Sequence, residues 1–223
     1  MPALNEAGAN AAEFEQRLQQ LQSYRGGGNE LIIVDGGSDD DTFELAQRYA
    51  DRAIQSDRGR AVQMNAGARH ADADILLFLH ADTQLPAHAL EAVRRKISEG
   101  HHWGRFGVRL LDEHFMFRII EHMMNLRSSL TGIATGDQAM FVRREVFEAV
   151  GGYPQQPLME DIELSKRLRG LGWPACLRQN VVTSGRRWRQ HGILRTILLM
   201  WRLRLAYFLG VSAERLAEHY RHG

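Results

Sequence analysis

Cysteine is almost absent from this chain: Cys176 stands alone, which excludes a disulfide framework and any cysteine-built zinc site. No run approaches the roughly 20 apolar residues that a transmembrane helix needs. Met1-Pro-Ala-Leu-Asn-Glu6 lacks a basic region followed by an apolar one, so no signal peptide is expected. Internal repeats and low-complexity linkers are missing as well. Net charge is nearly zero, with 28 Lys and Arg against 27 Asp and Glu, although the stretch from Arg186 to Arg204 is strongly basic. Nucleic acid is therefore not among the expected partners, and the expected location is the cytoplasm, at large or at the inner face of the membrane. At 223 residues the chain can bury a real core as one large domain, or one domain with an appendage.

What the chain does have is a set of short apolar runs that end in polar residues. Ile75 to Leu79 shows no polar alternation and reads as a strand buried on both faces, as in a parallel sheet. It stops at His80-Ala-Asp82, before a helix expected over Pro86–Glu99. Ligands of open α/β sheets bind beyond the carboxyl ends of such strands; a capped turn is the plainer reading. Leu31–Val34 is a second apolar strand, ending at Asp35-Gly-Gly-Ser-Asp-Asp-Asp-Thr42. Helices are expected over 11–24, 43–50 and 59–67, with a short strand at Ala53–Gln55. This alternation predicts a mainly parallel central sheet with right-handed crossovers, holding Leu31–Val34 and Ile75–Leu79 together. Such a unit normally opens on a strand. Pro2–Glu6 reads as a loop, so the chain either starts late or does without that strand.

Further along, Gly104–Leu111 alternates like a half-exposed strand, and His114–Arg127 reads as a Met- and Phe-rich helix. A strand at Ala139–Val142 and a helix after Glu160-Asp161 follow. Two short strands are expected before the basic residues 184–190. Gly192–Gly210 is apolar yet too short and too charged to span a bilayer. Arg195 and Arg202 share one side of such a helix, and Arg204 lies nearly opposite. Packing on the domain or on a second subunit of a homodimer is the plain expectation. A peripheral membrane contact that meets a lipid-linked acceptor is the alternative.

Three acidic sites thus stand at strand or loop ends: Asp35, Asp82 and Glu160-Asp161. At Asp35 a pyrophosphate-binding turn would need glycines and free N–H groups, whereas Asp39, Asp40 and Asp41 would repel a phosphate. A carboxylate there can instead accept from a base N–H or a ribose hydroxyl. An acidic turn that caps the next helix through Ser38 or Asp39 is the competing reading.

Taken together, the elements are more specific than any one of them. Pro2-Ala-Leu-Asn-Glu6, Val34-Asp-Gly-Gly-Ser38 with Thr42, Gly59-Arg60 with Asn65-Ala-Gly67, His80-Ala-Asp82, Gly136-Asp-Gln138 and Glu160-Asp161 occur in that order. This set resembles the GT-A glycosyltransferases of family 2, inverting enzymes that use nucleotide sugars. Leu79–Thr83 and Pro157–Leu164 are similar to a branch described as radical-SAM/selenodomain-associated transferases. The resemblance implies an α/β GT-A fold, Rossmann-like, over 1–190 with a helical C-terminal extension over 191–223.

It also implies roles for individual residues. Pro2, Leu4 and Glu6 would line the nucleotide, Asp35 would contact the base, and Arg60 would face the nucleotide and its diphosphate. Asp82 matches the last carboxylate of the Asp-x-Asp motif that holds Mn²⁺ or Mg²⁺, with His80 in place of the first Asp; imidazole suits Mn²⁺ better. Asp161 would be the general base, with Glu160 as its neighbour. Gly136, Asp137 and Gln138 resemble the loop beneath the donor sugar and acceptor. Arg187 and Trp188 match an Arg-Trp element that approaches the diphosphate and acceptor. The donor would be UDP- or GDP-linked. A nucleotide-sugar-binding protein without turnover and a nucleotidyltransferase remain open as alternatives.

Overall fold

The structure is a computed structural model and describes residues 1–8, 11–111, 114–185 and 192–222. The first third builds a parallel sheet of three strands, β1 (Pro2–Ala3), β2 (Ile32–Asp35) and β3 (Arg52–Gln55), in that spatial order. Helices α1 (Ala11–Leu21, followed by a 3₁₀ turn at Gln22–Tyr24), α2 (Thr42–Tyr49) and α3 (Arg60–His70) connect and flank these strands. On α1, Phe14, Leu18 and Leu21 recur at helical spacing and are buried. Phe14 and Leu18 meet Ile33, Leu45 and Ala46 in one apolar cluster.

A second sheet has five strands in the order β4-β7-β6-β8-β5: β4 (Ile75–Leu77), β5 (Thr83–Gln84), β6 (Trp103–Leu111), β7 (Phe141–Arg143) and β8 (Ala175–Ser184). Only β6 and β8 run parallel; the β4–β7, β6–β7 and β5–β8 pairs are antiparallel. Helices α4 (Ala89–Ser98), α5 (Phe115–Thr131), α6 (Arg144–Ala149) and α7 (Glu160–Arg169) complete this part, and α8 (Ile193–Phe208) and α9 (Ala213–His222) end the chain.

The α/β class follows the sequence reading, but the sheet does not. β2 and β4 lie in separate sheets, and the larger sheet is mixed rather than mainly parallel. Strand–helix alternation reports local crossovers; it carries no sign that β4 takes its partner from far downstream, with Ile75 opposite Arg143. Between the two sheets lies a cavity of about 180 Å³, lined by Met1, Leu31, Ile32 and Ile75–Leu79. Ile75 and Leu77 are accordingly half-buried, not buried as expected. Pro2–Ala3 forms a short strand where a loop was expected, and one long β8 replaces the two short strands.

β6 also departs from its pattern, being buried from Trp103 to Val108. On one side Phe106 packs with Ala92 and Val93 of α4. Beyond Gly104 the strand no longer pairs with β7, and polar side chains of α5 take over its backbone. Asn125 accepts from the Val108 N–H at 2.9 Å and donates to the Val108 carbonyl at 3.0 Å. Glu121 accepts from the Leu110 N–H at 2.6 Å, and Arg118 donates to the Leu110 carbonyl. Arg118, Glu121 and Asn125 of α5 are thus committed inward, because an unpaired buried strand edge would be costly.

Candidate active site

The loops after β1, β2 and β4 meet at one edge of the parallel sheet, and each is tied to the next. Thr42 Oγ1 accepts from the Glu6 and Ala7 N–H groups at 2.9 and 3.0 Å. Gln63, buried on α3, donates through Nε2 to the carbonyls of Ala3 and Val34, both at 2.8 Å. Asp35 is fully buried at the end of β2 and accepts from the N–H groups of Gly37 and Ser38 and from the Ser38 hydroxyl. All three contacts stay within the turn, and neither Ser38 nor Asp39 caps the next helix, whose N-cap is Asp41 without a side-chain cap bond.

A cleft of about 320 Å³ opens beside this edge and is lined by Pro2, Leu4, Glu6, Arg60, His80 and Asp82. Asp35 is not part of its wall. Gly59 starts α3 at φ 143°, a conformation that leaves little room for any other residue, and so aims Arg60 into the cleft. Asp82 Oδ1 accepts from Thr83 and Thr183 hydroxyls at 3.2 and 3.4 Å, which holds the carboxylate at the rim. His80 turns its ring toward the opposite loop: Nδ1 lies 3.6 Å from Asp137 Oδ1, and the Cε1–Nε2 edge lies over Gly136 so closely that a Cβ there would overlap it. Among the described residues no group of three or more His, Cys, Asp and Glu side chains could hold a metal ion alone. One carboxylate with one imidazole nearby fits an ion that draws its remaining ligands from a diphosphate and water.

The far wall comes from the 3₁₀ turn Gly136–Gln138 and the start of α7. Met159 precedes α7 in the left-handed region at φ 64°, a costly conformation for a side chain of this size. It is held there by burial against Leu158, Leu203 of α8 and Leu216 of α9. The carboxylates that follow differ sharply. Glu160 is buried, with Arg60 Nε 3.5 Å away. Burial, and then Asp161 beside it, raise the Glu160 carboxyl above its ordinary range, and Arg60 offsets this only in part. Asp161 is half-buried, and its Oδ2 accepts the Gly136 N–H at 2.9 Å. Asp137 is half-exposed; partial burial pushes its carboxyl up, but His80, Arg60 and Arg204 outweigh this and the net direction is down.

The structure therefore brings together Pro2, Leu4, Glu6, Arg60, His80, Asp82, Gly136, Asp137, Glu160 and Asp161. Gln138 is turned away: it is fully buried, and its amide bonds Thr135 N–H and Asn125. Its role is to hold the turn rather than to meet a ligand. Arg187 and Trp188 lie outside the described residues.

Residues 1–151 match the model of the family described as Glycosyl transferase family 2. The chain belongs to that family. Two curated relatives, uncharacterised glycosyltransferases from two strains of Mycobacterium tuberculosis, are 34% identical over 145 residues, covering 60% of this chain and 54% of theirs. The chain thus spans about half the length of the curated relatives it matches. Among solved structures, the mannosyltransferase PcManGT from Pyrobaculum calidifontis, in complex with GDP-Man and Mn²⁺, superposes with a TM-score of 0.66 at 22% identity, over 92% of this chain and 59% of that one. TarS of S. aureus in complex with UDP-GlcNAc gives 0.63 at 14% identity, over 82% and 56%. Glucosyl-3-phosphoglycerate synthase from Mycobacterium tuberculosis, with Mn²⁺, UDP and its product, gives 0.59 at 20%, over 82% and 68%. These likenesses show the GT-A fold.

Within this family-2 fold, Arg127 and Gly152 escape a reading of motifs, and Asn65, part of one, has its partner far along the chain. Arg127 of α5 donates from Nη1 to the Ile133 carbonyl at 3.4 Å, while its buried Nε and Nη2 have no partner among the described residues. Burial, and then the like charge of Arg204, lower its pKa to about 10. Asn65 donates to the Tyr153 carbonyl at 2.8 Å and accepts from its N–H at 2.9 Å, fixing the turn ahead of α7. Gly152 in that turn has φ 67°, and a Cβ on it would lie 2.7 Å from Asn65 Oδ1. In sequence, Arg127 is one more residue of an apolar helix, and nothing marks Arg204 except its side of the helix.

Proposed function

We propose that this chain transfers a sugar, with inversion, from a nucleoside-diphosphate donor to an acceptor hydroxyl, with Asp161 as general base. The observation that carries this reading is the contrast within Glu160-Asp161. Glu160 is buried with its carboxylate turned to the Arg60 guanidinium, so an acceptor hydroxyl does not reach it. Asp161 is open on one side and fixed by the Gly136 N–H. It accepts the acceptor's hydroxyl proton while the acceptor oxygen bonds to the anomeric carbon. The bond from that carbon to the diphosphate breaks on the opposite face, and its electron pair leaves with the diphosphate.

Pro2, Leu4 and Glu6 frame the nucleotide. Asp35, buried beside the cleft, fixes the loop under the nucleotide through the Gly37 and Ser38 N–H groups. Asp82, with His80 as the lesser ligand, would hold Mn²⁺ or Mg²⁺ on the diphosphate; a bound ion supplies Lewis-acid neutralisation of the leaving group. Mn²⁺ beside a nucleotide or nucleotide sugar in the Pyrobaculum and mycobacterial enzymes supports the metal, and their GDP and UDP support a donor of one of these classes. Arg127 and Arg204 add positive charge on the acceptor side of the cleft.

A mass-resolved screen of UDP- and GDP-linked sugars tests the reading. The expected result is metal-dependent release of free nucleoside diphosphate from one donor, abolished by a chelator and by Asp82→Ala, and weakened less by His80→Ala. Binding of a donor with no release under any metal overturns the transferase reading. Unchanged Mn²⁺-dependent affinity for the nucleoside diphosphate in Asp82→Ala removes that residue from the metal site.

A further inference from the structure

Among the described residues, ten of the fifteen exposed large apolar side chains belong to two helices, α5 and α8. On α5 they are Phe115, Ile119, Met123, Leu126 and Leu130, a stripe at three- and four-residue spacing. On α8 they are Leu194, Leu198, Trp201, Leu205 and Phe208, at the same spacing, with Phe208 79% exposed. The helices are neighbours: Ile193 and Ile197 of α8 pack on the cluster formed by Leu110 with Phe117 and Ile120 of α5. A helix is ordinarily expected to turn its apolar stripe to the core. Here α5 commits Glu121 and Asn125 to the β6 backbone, and α8 buries Leu203 against Leu158 and Met159, while both leave an apolar stripe outward. So large a patch needs a partner.

The charges beside it choose between partners. α8 has no acidic residue, and α5 has only the buried Glu121. Arg195 and Arg202 are exposed on α8. A two-fold contact between copies would bring these arginines toward a surface with no exposed carboxylate on either helix, which is unfavourable. An anionic lipid surface meets both needs, taking the apolar stripe among acyl chains and the arginines among phosphates. No described helix is long and apolar enough to cross a membrane, so the contact lies in the interface plane.

We infer that the outward face of α5 and α8 docks this protein on a bilayer containing anionic phospholipid. The same α8 backs the cleft's far wall: its buried Leu203 packs against Leu158 and Met159, the residues just before Glu160-Asp161. Docking therefore sets the acceptor side of the cleft close to the lipid surface, as a lipid-linked acceptor would require. The last point rests on the proposed transferase activity; the docking itself does not.

The test uses the full chain and large unilamellar vesicles, either phosphatidylcholine alone or phosphatidylcholine with phosphatidylglycerol, in a sedimentation assay that needs no turnover. Sedimentation with the anionic vesicles is expected, with weaker binding to the neutral ones. The double variant Leu198→Glu/Leu205→Glu should lose at least about tenfold in partitioning. Arg195→Gln and Arg202→Gln should each lose about fivefold on anionic vesicles only. Because all four side chains are exposed, unchanged circular dichroism and melting are expected, and donor turnover on a soluble acceptor should be unaffected. Failure to bind anionic vesicles at low ionic strength overturns the inference, as does binding that all variants retain. A wild-type dimer that Leu198→Glu/Leu205→Glu dissociates, with no vesicle binding, assigns the face to a second copy instead.

Discussion

The two walls of the cleft are held by different means. On the proposed donor side, loops from neighbouring strands are stitched by short polar ties: Gln63 to Ala3 and Val34, Thr42 to Glu6 and Ala7, Asn5 to Ser38 and Asp39. On the acceptor side, position depends on burial from afar. Met159 keeps its left-handed backbone under Leu203 and Leu216, and the turn before it hangs on Asn65. A wall built from local ties can be read from motifs. One held by distant helices has to be seen folded.

The sharpest way to break this comparison is at Asp161, the proposed base. In Asp161→Asn the amide oxygen can still take the Gly136 N–H, but the proton acceptor is gone. A positioned base contributes on the order of 10²–10⁴-fold, so kcat for sugar transfer should fall by that amount while donor affinity in calorimetry hardly moves. Glu160→Gln should cost much less. Near wild-type transfer in Asp161→Asn, with a collapse in Glu160→Gln, would move the base one residue back.

How much of this was legible beforehand follows the same division. The parallel strand β2, helices α1 to α3 and the cleft residues Pro2, Glu6 and Arg60 could be read, because each lies in a segment whose order along the chain is its order in space, and Asp82 because it follows directly on the apolar run of β4. The two sides of α8 were legible too: Arg195 and Arg202 face out, while Arg204 is half-buried. The mixed sheet was not, since β4 pairs with Phe141–Arg143 and β5 with the end of β8. Nor was the burial of β6, whose alternating pattern is satisfied by α5 side chains instead of water. Gln138 sits in a site motif yet serves its own turn, a distinction that depends on Asn125 from another helix.

Asn65 offers a gentler cut on the acceptor side. Removing its amide in Asn65→Ala leaves the Tyr153 N–H and carbonyl without their partner, at a cost of about 1–3 kcal/mol. Urea unfolding should show that loss. If the turn of Gly151–Pro154 steadies α7, kcat should fall with it while nucleoside diphosphate binding stays. An equal loss of donor binding would mean that the two walls are not separable.

The smallest effect concerns the protonation of Glu160, the buried neighbour of the proposed base. Burial and the neighbouring Asp161 raise the Glu160 carboxyl above its ordinary value of 4.5. Below that value the folded and unfolded chains both carry the proton, and the residue is neutral in either state. As pH rises, the unfolded chain releases the proton first. The folded protein therefore loses the contribution of Glu160 progressively, until pH passes the raised value. Glu160→Gln removes the titration and keeps the shape. Melting temperatures of variant and wild type should match in acid, and the variant should pull slightly ahead toward neutral pH. The opposite trend, with wild type gaining on the variant as pH rises, would mean that Arg60 outweighs burial. Glu160 would then be ionised in its pocket as the partner of Arg60.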